Sequence, residues 1–148
     1  MQRLARDGAK DQLVRLTAIN TVRGAGARGH DPAAQLGALF RFVRDRVMFI
    51  GDVSGVETLQ SPRFTLHSMA GDCDDRAVLL VAMARSIGIP ANLKFRVIAA
   101  NPQAKSRFSH VYVVARIGSQ DIPMDPTYHQ NGLGYEYPGA FRTGDFPA

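Results

Sequence analysis

Gly71-Asp72-Cys73-Asp74-Asp75-Arg76-Ala77-Val78-Leu79-Leu80 places the chain's single cysteine at the start of an apolar-periodic helix. Backbone N–H groups are unpaired in the first turn of a helix and the dipole there is positive, so a sulfur at that point is favoured as thiolate and an oxyanion can be received beside it. Cys73 is therefore a candidate nucleophile. Asp72 reads as the N-cap, with Asp74 and Asp75 in the first turn and Asp75 able to assist the cap. Gly88 followed by Pro90 is the stop signal, and Ala77, Leu80, Val81, Ala84 and Ile87 supply a buried face. Downstream, Phe108-Ser109-His110-Val111-Tyr112-Val113 sets a histidine in a strand-like run, and Ile122-Pro123-Met124-Asp125-Pro126-Thr127 ends a short strand on a carboxylate. Cys73, His110 and Asp125 make a nucleophile, a base and an orienter in that order.

Alternation along residues 108–117 puts His110 on one face with Tyr112 and Val114, and Val111, Val113 and Ala115 on the other. His110 is expected to face the cysteine helix, with Asp125 on a neighbouring strand about 4.8 Å away. The three aspartates around Cys73 oppose a thiolate unless they point away or His110 outweighs them. The plainer reading of a lone cysteine is a small buried apolar residue. His67 with Cys73 and the aspartates matches no regular zinc spacing, and a helix start splays carboxylates too far for a calcium cage, so neither a metal nor another cofactor is expected. His30, His67 and His129 read as surface or turn residues.

The 148 residues suit one domain with arms, and 45% hydrophobic against 21% charged content excludes disorder across the chain. One cysteine forms no internal disulfide, the start lacks an apolar leader, and no apolar run approaches the roughly 20 residues that span a bilayer. A cytoplasmic protein without a signal peptide or membrane contact is expected. The net charge of +5 would suit nucleic acid, but the arginines are scattered, with no basic block and no aromatic platform, which points to a solvated basic surface.

Residues 1–23 read as one amphipathic helix with Leu4, Leu13, Leu16, Ile19 and Val22 near helical spacing. The glycine-dense segment 23–29 reads as a hinge, closing an N-terminal region of residues 1–30. Asp31 and Pro32 cap and open a helix that buries Leu36, Leu39, Phe40, Val43 and Val47. Residues 50–57 are expected to be a loop, and 59–66 a turn or short helix that walls the cleft. Strands follow at 93–99, 108–117 and 120–124, with a tight turn at Gly118-Ser119. Helices followed by a small antiparallel meander give an α+β fold whose core is residues 31–130. Residues 131–148 are rich in Gly, Tyr, Pro and Phe, show no period, and form a tail that lies along its own domain or docks on a neighbour.

At these residues the chain resembles the transglutaminase-like cysteine enzyme superfamily, which is similar to the papain-type thiol proteases. The carriers are Gly71-Asp72-Cys73-Asp74-Asp75, Ile87-Gly88-Ile89-Pro90-Ala91, His110-Val111-Tyr112-Val113 and Met124-Asp125-Pro126-Thr127, within residues 31–127. The resemblance implies Cys73 as nucleophile, His110 as general base and Asp125 as its orienter, on a helix packed against an antiparallel sheet. It implies a protein or peptide substrate, and a phage or prophage context in which residues 131–148 could meet virion structural proteins. Tyr112 stands where the family commonly has tryptophan, and Ile122-Pro123 where an aromatic precedes the Asp-Pro strand end. Candidate oxyanion donors are the Cys73 backbone N–H with Gln60 or Tyr112, although Gln60 reads better as an ordinary turn residue. A class-distinct alternative is a non-catalytic scaffold that keeps the fold.

Overall fold

The computed structural model describes residues 1–27, 31–51 and 58–148. His30, the end of the glycine-dense segment and most of the loop expected at 50–57 lie outside the described residues.

The helix that opens on Cys73 is the centre of the molecule. It runs Cys73–Ser86 (α5), and Ala77 to Met83 have no exposed surface, so it buries far more than the single face expected of it. A helix apolar all round must be enclosed. Around it pack Gln2–Gly8 (α1), Gln12–Gly24 (α2), Pro32–Arg46 (α3), Pro62–Ser68 (α4) and one face of a sheet. Truncating Leu79 or Leu80 to alanine would cost about 2–5 kcal/mol at such sites. The helix ends as its sequence demands: Gly88 takes φ +69°, a value that strains side chains with a Cβ, and Ile89 N–H reaches back to Ala84 O at 3.2 Å.

The expected single helix over residues 1–23 is two. Asp11 interrupts it, accepting from the Leu13 and Val14 amides and so capping α2 afresh. That break resets the helical phase, and the buried face becomes Ala5 with Val14, Ala18 and Val22, while Leu13 and Leu16 are exposed. Both helices contribute to the same apolar cluster as α5. The second expected helix is observed as read: Asp31 caps α3 at Ala34 N–H, and Leu36, Leu39, Phe40, Val43 and Val47 are buried. Ser61 and Pro62 start α4. Two short segments, Met48–Phe49 (β1) and Ala70–Gly71 (β2), pair in parallel just before the cysteine.

The main sheet is antiparallel, in the order β5-β4-β3-β6, with Asn92–Ala99 (β3), His110–Ile117 (β4), Gln120–Met124 (β5) and Arg142–Pro147 (β6). Val111, Val113 and Ala115 of β4 join the α5 cluster, while Tyr112 and Val114 pack with Ile98, Tyr137 and Ala140 on the other face. Pro123 is tolerated because β5 lies at the sheet's edge, where its carbonyl accepts from Gly134 N–H at 2.8 Å. Residues 131–148, expected to carry no regular structure, lie along their own domain and supply β6, which pairs with β3 from Lys94↔Pro147 to Ala99↔Arg142. Arg96 fixes that pairing through Asp145 and Glu136. No described helix is long and apolar enough to cross a membrane.

Candidate active site

Cys73 begins α5 because Asp72 caps it: one Asp72 oxygen accepts from the Asp74 and Asp75 amides, and the Asp75 carboxylate returns to the Asp72 N–H at 3.3 Å. This reciprocal cap requires glycine at position 71, where a Cβ would come within 2.7 Å of the Asp75 side chain. Asp75 also accepts from the Gln60 N–H at 2.7 Å, drawing the segment before α4 to the start of the cysteine helix.

His110 stands at the first position of β4, where the sheet ends beside the start of α5. Its face-mates Tyr112 and Val114 lie on the far side of the sheet, and Val111, Val113 and Ala115 cover α5. His110 instead shares a cavity of about 420 Å³ with Cys73, lined also by Asp72, Asp74, Val97 and Phe108. Its Nε2 lies 2.9 Å from Asp125 Oδ2, and the ring stacks obliquely on Tyr112 with centroids 5.9 Å apart. Burial works against the imidazolium, but hydrogen bonds to Asp125 and Cys73 and the charges of both overcome it and raise the pKa to about 9. At neutral pH the ring is therefore mostly cationic.

Asp125 is 1% exposed. Burial alone would raise its pKa, yet the hydrogen bond and charge of His110, with the Thr127 interactions, hold it below the ordinary carboxylate value. Thr127 N–H donates to Asp125 Oδ1 at 3.0 Å, an Asx turn that the sequence Asp-Pro-Thr could have announced. Asn131 Nδ2 donates to the Asp125 carbonyl at 3.3 Å, and Arg44 Nη1 to the Asn131 carbonyl at 2.9 Å. Arg76 donates to Thr127 O at 2.9 Å from within the core. Neither Arg44, Asn131 nor Arg76 carries a local signal of its position.

The aspartates beside the thiol are not three free negative charges. Asp72 and Asp75 are engaged in the cap, and their oxygens converge with those of Asp74 to within 4.8 Å. Burial, followed by the hydrogen bond and charge of Asp72 and the charge of Asp75, pushes Asp74 up to about 8, so it is largely protonated at neutral pH. Of the side-chain oxyanion candidates, Tyr112 donates its hydroxyl to Glu136, and burial and that bond raise its pKa. Gln60 Oε1 accepts from Thr65 Oγ1 at 3.3 Å, which leaves its NH₂ as the donor. Neither Gln60 nor Tyr112 lines the cavity shared by Cys73 and His110.

The family model of the transglutaminase-like superfamily matches residues 19–126. The fold is similar to that of a "putative cysteine protease" from Cytophaga hutchinsonii, with TM-score 0.57 and 20% identity over 88% of this chain and 42% of that one. It is also similar to a "putative protease" from Parabacteroides distasonis, with TM-score 0.59 and 13% identity over 82% of this chain and 25% of that one. The chain thus spans less than half the length of either solved protein. No curated protein matches the chain.

Proposed function

The chain belongs to the transglutaminase-like superfamily, and from that premise we propose that it is a thiol-dependent acyl-transfer enzyme that hydrolyses a peptide or isopeptide amide bond. The observation that carries this reading is the Asp125 Oδ2–His110 Nε2 contact at 2.9 Å, on a ring that also interacts with Cys73.

In this mechanism the Cys73 thiolate, paired with the His110 imidazolium, attacks the amide carbonyl carbon and forms the C–S bond as the carbonyl π electrons move to oxygen. The oxyanion is received by the Cys73 N–H at the first position of α5. Collapse breaks the C–N bond as His110 gives its proton to the departing nitrogen. The neutral imidazole then deprotonates a water that attacks the thioester, restoring thiolate and imidazolium. An amine in place of water would give cross-linking by the same steps. Asp125 fixes the ring and stabilises its charge throughout.

The test is mass spectrometry of the protein mixed with activated amide and peptide substrates. An acyl adduct on Cys73 that decays with product release is expected in the parent, and none in Cys73→Ala. If Cys73→Ala supported full biological function in a cell, the non-catalytic scaffold would replace this reading.

A further inference from the structure

We propose that Arg76 is a positioning residue whose buried guanidinium ties the corner that bears Asp125 to the helix that bears Cys73, and thereby sets where the His110 ring is held. This rests on the reading of those three residues as the reacting group.

Arg76 is 2% exposed. Its Nη1 donates to Thr127 O at 2.9 Å, and its Nη2 to Val43 O at 3.0 Å and Arg44 O at 2.9 Å. These acceptors are main-chain carbonyls. Two belong to the last turn of α3, where Val43 O also accepts from the Val47 N–H at 3.2 Å; the third lies two residues beyond Asp125. Burying a cation against neutral acceptors is unfavourable, and an apolar side chain of similar volume is often as stable or more so. The bonds continue to the reacting groups: Thr127 N–H to Asp125 Oδ1 at 3.0 Å, then Asp125 Oδ2 to His110 Nε2 at 2.9 Å. Cys73 and Arg76 are three residues apart on α5 and so are neighbours on its surface. One rigid element therefore carries both the nucleophile and the clamp on the orienter. A planar guanidinium reaches separated carbonyls at once; an ammonium, with one nitrogen, does not.

The test follows His110 directly, by NMR titration of its ring in the parent, Arg76→Lys and Arg76→Met. Among the described residues, the ionisable groups facing that ring are Asp125, Cys73 and Tyr112, with Met1, Asp72 and Asp74 lining the same cavity. Arg76→Lys keeps the charge and most of the bulk but loses the fork. Positioning predicts that the His110 titration falls from about 9 toward 6.5 in both variants. It also predicts that alkylation of Cys73 by chloroacetamide at pH 6 slows, by up to about 10²-fold if the ring shifts by roughly 1 Å. A role as buried charge alone predicts the reverse, with the titration unmoved in Arg76→Lys and raised in Arg76→Met, where a repelling cation is gone. A purely structural role predicts a lower melting temperature with an unmoved titration. Either result overturns the proposal, and if Arg76→Met does not fold, Arg76→Lys decides alone. A parent with no turnover whose titration still falls in Arg76→Lys would discard the enzyme and keep the clamp. A parent that turns over, with Arg76→Lys unchanged in titration and rate, would discard only the clamp.

Discussion

Two carboxylates flank the reacting pair, and burial, which pushes both upward, ends in opposite net shifts. Asp125, almost fully enclosed, accepts from His110 Nε2 and the Thr127 N–H and is held below its ordinary pKa. Asp74, less enclosed, has a buried Oδ1 with no hydrogen-bond partner and two acidic neighbours, and is pushed up to about 8. Donors and neighbouring charge, more than depth, decide the sign of each shift. The imidazole is thus given a negative charge on its far side, while on the side of the thiol Asp74 adds little charge at pH 7. Of the three aspartates that would oppose a thiolate, Asp74 is the one whose charge is suppressed.

Removing the anion on the far side should break this contrast most severely. Asp125→Asn is nearly isosteric, and it should lower turnover by as much as about 10⁴-fold, the loss seen when a triad's histidine is held in the wrong tautomer. Its His110 ring should titrate well below the parent's value of about 9. Parent-like turnover in this variant would remove Asp125 from the chemistry.

The same pair should leave a trace in stability. His110 has a folded pKa raised from 6.5 to about 9, so its contribution is complete below pH 6.5 and is lost as pH rises through 9. Asp125 is lowered from 3.8, so its contribution is present above that pH and lost as pH falls. Urea unfolding of the parent and Asp125→Asn should therefore differ most between about pH 4 and 6.5, and the gap should narrow toward pH 9.

Asp74 has the opposite sign. Its folded pKa of about 8 exceeds the ordinary 3.8, so the stability linked to its proton is complete below pH 3.8 and drains away as pH rises through 8. Asn does not titrate. The melting temperature of Asp74→Asn relative to the parent should rise between pH 4 and pH 8; a difference that stays flat would mean Asp74 is ionised in the native protein.

The smallest effect belongs to the cap that the two sides share. Asp72→Ala should cost about 1 kcal/mol, read as a lower urea midpoint at unchanged slope.

The residues read best from sequence were those whose signals are local. Asp72 and Gly88 bracket α5 by capping chemistry, Asp31-Pro32 opens α3, and alternation in β4 sorted its valines correctly. Residues 1–23 were misread because Leu13 and Leu16 mimic a buried face, whereas the deciding signal was one aspartate within the run. β6 was hidden because Arg142-Thr143-Gly144-Asp145-Phe146-Pro147 has no apolar alternation, and its strand conformation comes from pairing with β3. Tyr112 could be placed on a strand, but its hydroxyl partner Glu136 lies in a segment without a readable period. Arg76 looks in sequence like a solvated helix position, and only the fold brings Val43, Arg44 and Thr127 together around it.

Pro123 also bears on how this molecule meets its own copies. The outer rim of a sheet is a template on which a foreign strand can add, since each free N–H and C=O invites a partner. Along β5 the proline offers no N–H, and its carbonyl is already taken by the Gly134 amide. At the opposite rim, β6 carries Arg142, Asp145 and Pro147, which add charge and a second interruption to any incoming ladder. Both rims are therefore poor seeds for runaway stacking into fibrils, so concentrated solutions should stay free of cross-β assembly as long as the native sheet is intact.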